Sequence, residues 1–177
     1  MDVAFAEFDV TLRDGRAVHV RAVGAADEEE IVQAYGRLSA ETRYLRFMNS
    51  ASKPDIGRFR KALTSFPDHG LGIVATVPAD DGVDIVGSAL YFDAGDRKTC
   101  EFAITVAAGF GGAGLATVLM RSLIDSAKRR GIGEMDGFVL SDNGPMLRLA
   151  RRLGFTIAPD PDDRTVRICR LRLDSKA

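Results

Sequence analysis

"TVAAGFGGAGLATVLM", Thr105 to Met120, sets four glycines, Gly109, Gly111, Gly112 and Gly114, between an apolar strand-like run and a helical pattern. A loop that follows a strand and opens a helix can turn its backbone N–H groups and the positive end of the helix dipole toward one point, which suits an anion and above all a phosphate. Side chains would obstruct that approach. The competing use of such glycines is a tight turn that lets a helix pack closely on a sheet. Gly109, Gly111 and Gly114 also match the Gly-x-Gly-x-x-Gly dinucleotide fingerprint, with Glu134 about twenty residues beyond, near the spacing of a ribose-binding acid. That fingerprint belongs in the first βα turn of a largely parallel sheet, whereas about a hundred residues of helices and a strand meander precede this loop, so the context disfavours an NAD-binding, Rossmann-type enzyme.

Working outward, Phe5 to Leu12 and Ala17 to Val23 alternate around Arg13-Asp14-Gly15, a hairpin signal. After Gly24, AADEEEIVQAYGRLS places acids in a first helical turn and Ile31, Ala34, Tyr35 and Leu38 at helical spacing. A second short helix is expected over Glu41 to Met48, and a third from Pro54 through Ile56, Phe59, Leu63 and Phe66. From Gly70 the period changes, and LGIVATV, VDIVGSALYF and KTCEFAITV predict three strands in a meander. Beyond the glycines, a long helix carries Leu115, Val118, Leu119, Leu123 and Ala127 on one face and ends at Gly131. MDGFVLS is a strand, Asn143-Gly144-Pro145 opens a helix that stops at Gly154, and Phe155 to Ala158 with Val166 to Leu173 forms a final hairpin.

Composition narrows the class. At 177 residues, 46% hydrophobic and 28% charged, the chain can bury a proper core and suits one domain over residues 1–177. A net charge of −1 and a pI near 6.1 give no global case for a nucleic-acid or membrane partner. Cys100, Cys169, His19 and His69 lack metal-ligand spacing, so neither a metal nor a disulfide framework is expected. The N-terminus has no basic region followed by an apolar one, and a cytoplasmic location follows by default. Phe102 to Met120 is uncharged and nominally long enough to cross a bilayer, but its central glycines and period-2 first half argue against one helix there.

Gly111-Gly112-Ala113-Gly114-Leu115-Ala116 resembles the acyl-CoA pyrophosphate loop of the GNAT superfamily of N-acetyltransferases, whose pattern is Gln or Arg, two free positions, Gly, one free position, then Gly or Ala. The order of elements matches that fold over essentially the whole chain, and NGPMLRLARRLGF, Asn143 to Phe155, looks like the family's later Asn-x-x-Met and Leu-Gly-Phe segment. The resemblance implies an α/β (α+β) fold with a mixed, mostly antiparallel sheet of about seven strands flanked by helices. It also implies acetyl-CoA as acyl donor, held by Ile104, Val106, Gly111, Gly112, Ala113, Gly114, Leu115, Ala116 and Asn143, with no metal. Two positions depart from the pattern: Gly111 stands where Gln or Arg is usual and Ala113 where a basic residue is common. Phosphates would then be held mainly by backbone N–H groups, with less side-chain charge to help.

Acetyl transfer to a lysine-like amine, ordinarily protonated with a pKa of about 10.4, needs a proton acceptor. Glu101 stands on the strand feeding the loop, ten residues before Gly111, where many family members carry their catalytic glutamate. Alternation puts Glu101, Ala103 and Thr105 on the face opposite Phe102, Ile104 and Val106; the alternative is a strand glutamate facing solvent. The resemblance assigns backbone N–H groups from Ile104 to Val106 to the developing oxyanion. Ala150 occupies the place of a tyrosine that often protonates the leaving thiolate, a small loss because a thiol of pKa near 8.5 leaves readily as its anion. Asn143 either bonds the pantetheine arm or caps a helix. Cys100 is expected in the core and His69 in an exposed turn. LSAETRYLRF, Leu38 to Phe47, looks like a segment of bacterial protein-lysine acetyltransferases of the Pat type; otherwise it is an amphipathic helix with Tyr44 and Phe47 in the core and Arg43 and Arg46 solvated. The expected acceptor is a protein lysine or a small primary amine, a homodimer is compatible with the sequence, and a non-catalytic acyl-CoA sensor is the other reading.

Overall fold

The computed structural model describes residues 4–47 and 55–174. Its centre is an eight-stranded sheet in the order β1-β2-β3-β4-β5-β6-β8-β7. The strands are β1 (Phe8–Thr11), β2 (Ala17–Ala22), β3 (Gly70–Ala79), β4 (Gly82–Asp93), β5 (Thr99–Val106), β6 (Glu134–Leu140), β7 (Thr156–Pro159) and β8 (Val166–Arg172). The helices are α1 (Glu28–Arg37), α2 (Ala40–Phe47), α3 (Ile56–Ser65), α4 (Leu115–Arg129) and α5 (Gly144–Arg152). All neighbouring strands run antiparallel except β5 and β6. The sheet is thus one strand larger than about seven, and a sheet of this sense overturns the Rossmann-type reading, which needs parallel strands. Met48, the expected last residue of the second helix, and Pro54, the expected start of the third, lie outside the described residues.

Local chemistry accounts for the connections. The β1–β2 turn closes by Leu12 N–H donating to Arg16 O at 2.8 Å, and Gly15 supplies the left-handed conformation, φ +88°, that the turn requires. Between β2 and α1, Asp27 accepts from Gly24 N–H at 2.8 Å and pairs with both terminal nitrogens of Arg21 at 2.9 and 2.7 Å. The Arg21 hydrogen bonds hold the Asp27 carboxyl below its usual range and so keep this buried group ionised.

One face of the sheet carries α4. Tyr91 on β4 is fully buried and its hydroxyl meets Ser126 Oγ of α4 at 2.9 Å, while Gly87 leaves room for Leu115 and Leu119, whose side chains lie 3.0–3.1 Å from where a Cβ would stand. The opposite face carries α2 and the chain leaving α3, where Phe66 stacks on Phe92 at 5.2 Å. The uncharged run from Phe102 to Met120 resolves into the end of β5, the glycine loop and the start of α4. Among the described residues no helix is long and apolar enough to cross a membrane.

Candidate active site

Strand β5 is fully laddered on one side only. Against β4 it pairs from Cys100 to Val106, but against β6 the register runs only through Thr99–Glu134, Cys100–Met135 and Glu101–Asp136, after which the strands part. Ala107 N–H donates to Val86 O on the β4 side at 2.9 Å. Because N–H and C=O of one residue point the same way in an antiparallel ladder, Thr105 and Ala103 also face β4, and Ile104 and Val106 present their backbone groups to the gap toward β6. The two residues assigned to the pantetheine arm therefore do offer free strand-edge groups.

The gap leads to the glycine loop. The N–H groups of Gly111, Gly112, Ala113 and Gly114 find no acceptor among the described residues, and Gly109, Gly111 and Gly112 face open space where a Cβ would be. Gly112 and Gly114 hold φ +75° and +94°, so a side chain there would strain the loop, and Gly114 is the N-cap of α4. Ala113 and Leu115 are buried, which anchors the loop, while the N–H groups of Leu115 and Ala116 belong to the unpaired first turn of α4. Asn143 caps α5, its side-chain oxygen accepting from Met146 N–H at 3.3 Å. Ala150 is fully buried, so no hydroxyl is offered from that position.

Glu101 lies at the last rung of the β5–β6 pairing, beside Asp136. Partial enclosure raises its pKa, the Asp136 charge raises it further, and Arg46 of α2 opposes the rise. Burial pushes the Arg46 guanidinium down to about 10, with Arg58 adding to the fall and Glu101 opposing it, so it stays charged at neutral pH. Asp136 Oδ1 is enclosed, with Arg170 Nε at 3.5 Å. Two carboxylates and an arginine thus meet where the sheet opens, and Glu101 itself remains solvent-accessible. The α2 reading that put Tyr44 in the core and Arg46 in solvent is reversed: Tyr44 is 48% exposed, and Arg46 is turned inward, where burial lowers its pKa and the Glu101 charge opposes the fall only in part. Burial pushes the Cys100 thiol up to about 12, which fits a packing residue, and His69 is exposed as expected. Asp136 and the inward Arg46 escaped the sequence reading, since neither position shows which side chains a parallel partner and a covering helix bring to Glu101.

A sheet that stops pairing in mid-strand and aims its free edge at a glycine loop with unpaired N–H groups is the framework of acyl-CoA-dependent acyltransferases. A family model described as the acetyltransferase (GNAT) family matches residues 37–155, and the chain belongs to that family. An acetyltransferase of Pseudomonas aeruginosa is 35% identical over 92% of this chain and 88% of its own length. Acetyltransferase Pat of Mycolicibacterium smegmatis is 29% identical over 82% of this chain, which spans 43% of that protein. Among solved structures, the GNAT domain of S. lividans PAT superposes with a TM-score of 0.83 at 24% identity, covering 94% of this chain and 96% of its own. yncA of Salmonella typhimurium, assigned as an acetyltransferase and solved with its cofactor acetyl-CoA, gives 0.70 at 25% identity, covering 92% and 97%. The protein is an acetyl-CoA-dependent acyltransferase, and its residues fit that donor: unpaired loop N–H groups suit phosphates, and the free β5 edge suits an amide-bearing arm.

Proposed function

We propose that the protein acetylates the side-chain amine of protein lysines, with Glu101 as general base. The observation that carries this reading is the place of Glu101, an accessible carboxyl with a raised pKa at the point where the sheet opens. A raised pKa brings a carboxylate closer to the operating pH, where it takes a proton more effectively. Acetyl-CoA supplies an activated acyl thioester. Glu101 removes the proton from the acceptor ammonium, directly or through one water. The freed amine would form the C–N bond as the thioester C–S bond breaks, and CoA would leave as its thiolate and take up the proton the new amide nitrogen sheds. The N–H groups of Ile104 and Val106 donate to negative charge developing on the acyl oxygen. Gly111 to Ala116 hold the phosphates, and Asn143 has its side-chain amide nitrogen left for the pantetheine arm. A protein acceptor is supported by the LSAETRYLRF segment and by the likeness to Pat.

The acceptor is tested by following acetyl transfer to a panel of folded proteins with exposed lysines beside free lysine and small amines, with modified sites read by mass spectrometry. Transfer to protein lysines well above the small amines is expected. Preference for a small amine overturns the protein acceptor, and CoA binding without turnover on any amine would make the protein a sensor.

Asp136→Asn removes a negative charge beside Glu101, so the carboxyl of Glu101 ionises at lower pH. The acid limb of the kcat/KM profile is expected to move to lower pH. An unmoved limb would mean that the group titrating there is not Glu101.

A further inference from the structure

The glycine loop is uncharged from Ala107 to Thr117, yet two guanidinium groups reach it from the β1–β2 turn. Arg13 Nη2 donates to Gly112 O at 2.9 Å, and Arg16 Nη2 donates to Gly109 O at 2.6 Å. The two arginines differ in what else they do. Arg16 is committed: it bonds the Asp14 carboxylate through Nε at 2.8 Å and Nη2 at 2.5 Å, and its guanidinium lies 3.8 Å from the centre of the Phe110 ring. Arg13 makes no ion pair among the described residues, and its other donors have no acceptor there. Its position is nevertheless fixed. The Arg13 N–H donates to Ala113 O at 3.1 Å, and the guanidinium lies against the N-cap of α4, with Nε 3.5 Å from where a Cβ of Gly114 would stand.

We infer that Arg13 supplies the cationic contact to the phosphates of acyl-CoA that Gly111 and Ala113 do not provide. The inference rests on the reading of Gly111 to Ala116 as the phosphate site. A guanidinium offers a fixed fork of donors matched to phosphate oxygens, and one held beside a helix N-terminus adds full charge to the partial charge of the unpaired N–H groups. Arg13 precedes residues 37–155, so the contact is a feature of this chain's N-terminal hairpin and not of the matched family segment. The hairpin turn and the loop are 99 residues apart in sequence at the Arg13–Gly112 bond, which places the charge where no loop motif records it.

The test measures dissociation constants of CoA and of S-acetyl-pantetheine, which lacks every phosphate, for the wild type, Arg13→Lys and Arg13→Gln. Glutamine keeps a neutral donor for the Gly112 oxygen, whereas lysine keeps the charge. CoA binding is expected to weaken about tenfold in Arg13→Gln, the size of one charge-assisted hydrogen bond, and less in Arg13→Lys. The CoA affinity of Arg13→Gln should also depend less steeply on salt. S-acetyl-pantetheine should bind all three alike. Wild-type CoA affinity in Arg13→Gln would reduce Arg13 to a tether of the loop and overturn the inference. A wild type that binds CoA no better than S-acetyl-pantetheine would overturn the phosphate reading of the loop itself, whatever Arg13 does. Thermal midpoints of the variants, measured alongside, separate lost binding from lost folding.

Discussion

Glu101→Gln is expected to lower acetyl transfer at neutral pH by about a hundredfold to ten-thousandfold, the range that a positioned general base contributes. Glutamine matches the shape of the side chain but cannot accept the proton, and the loop and strand edge that would hold acetyl-CoA lie beyond it, so the dissociation constant for acetyl-CoA should not change. The defect should shrink as the pH rises toward about 10.4, where the amine sheds its proton without help. Steady-state kinetics over that range, with binding measured separately, checks both halves. Unchanged turnover at neutral pH removes Glu101 from the mechanism, and loss of acetyl-CoA binding makes it a structural residue.

Phe102→Ala is expected to be the most costly core substitution near the site. The Phe102 ring is buried, packs edge-on against Phe155 at 5.3 Å and lies across Gly137 of β6, where an added Cβ would come within 2.2 Å of its carbons. Truncating such a ring costs about 3–5 kcal/mol. At roughly 2–4 °C per kcal/mol for a domain of this size, the thermal midpoint should fall by about 6–20 °C. Gly137→Ala alone should cost about 1–3 kcal/mol because the methyl group and the ring cannot share the space. In the double variant the methyl group enters volume the ring has vacated, so the combined loss should fall short of the sum. Strict additivity in calorimetry would show that the two residues do not press on each other.

What can be read from the sequence of this chain is set by the range of each signal. The glycine loop and β5 were legible because their signals are local: a change from period 2 to helical spacing, and glycines where φ is positive or a side chain would intrude. Glu101 is a candidate through the family resemblance, which places a catalytic glutamate ten residues before the loop; its residue type and strand position alone favour a glutamate facing solvent. Its surroundings were not legible, because Asp136 reaches it through the parallel register and Arg46 through the packing of α2 on the sheet. Tyr44 and Arg46 exchange their expected places because helical periodicity ranks apolar over charged residues and does not show which face of α2 the sheet covers. The sequence marks Arg13 only as part of a turn. Nothing within the hairpin indicates that its backbone would bond Ala113.

The three-rung pairing of β5 with β6 gives the sheet a seam. On one side β1 to β5 form a continuous raft of ladders, on the other β6, β8 and β7 form a second, and among the described residues the backbone stitches between β5 and β6 are confined to one end, where Gly133 and Glu134 N–H donate to Arg97 and Lys98 O and the register runs from Thr99 to Glu101. A ligand whose amide groups paired with Ile104 and Val106 would lengthen that line of stitches from within. Donor binding would then do structural work as well as chemical work, knitting two halves that the chain by itself leaves partly unsewn.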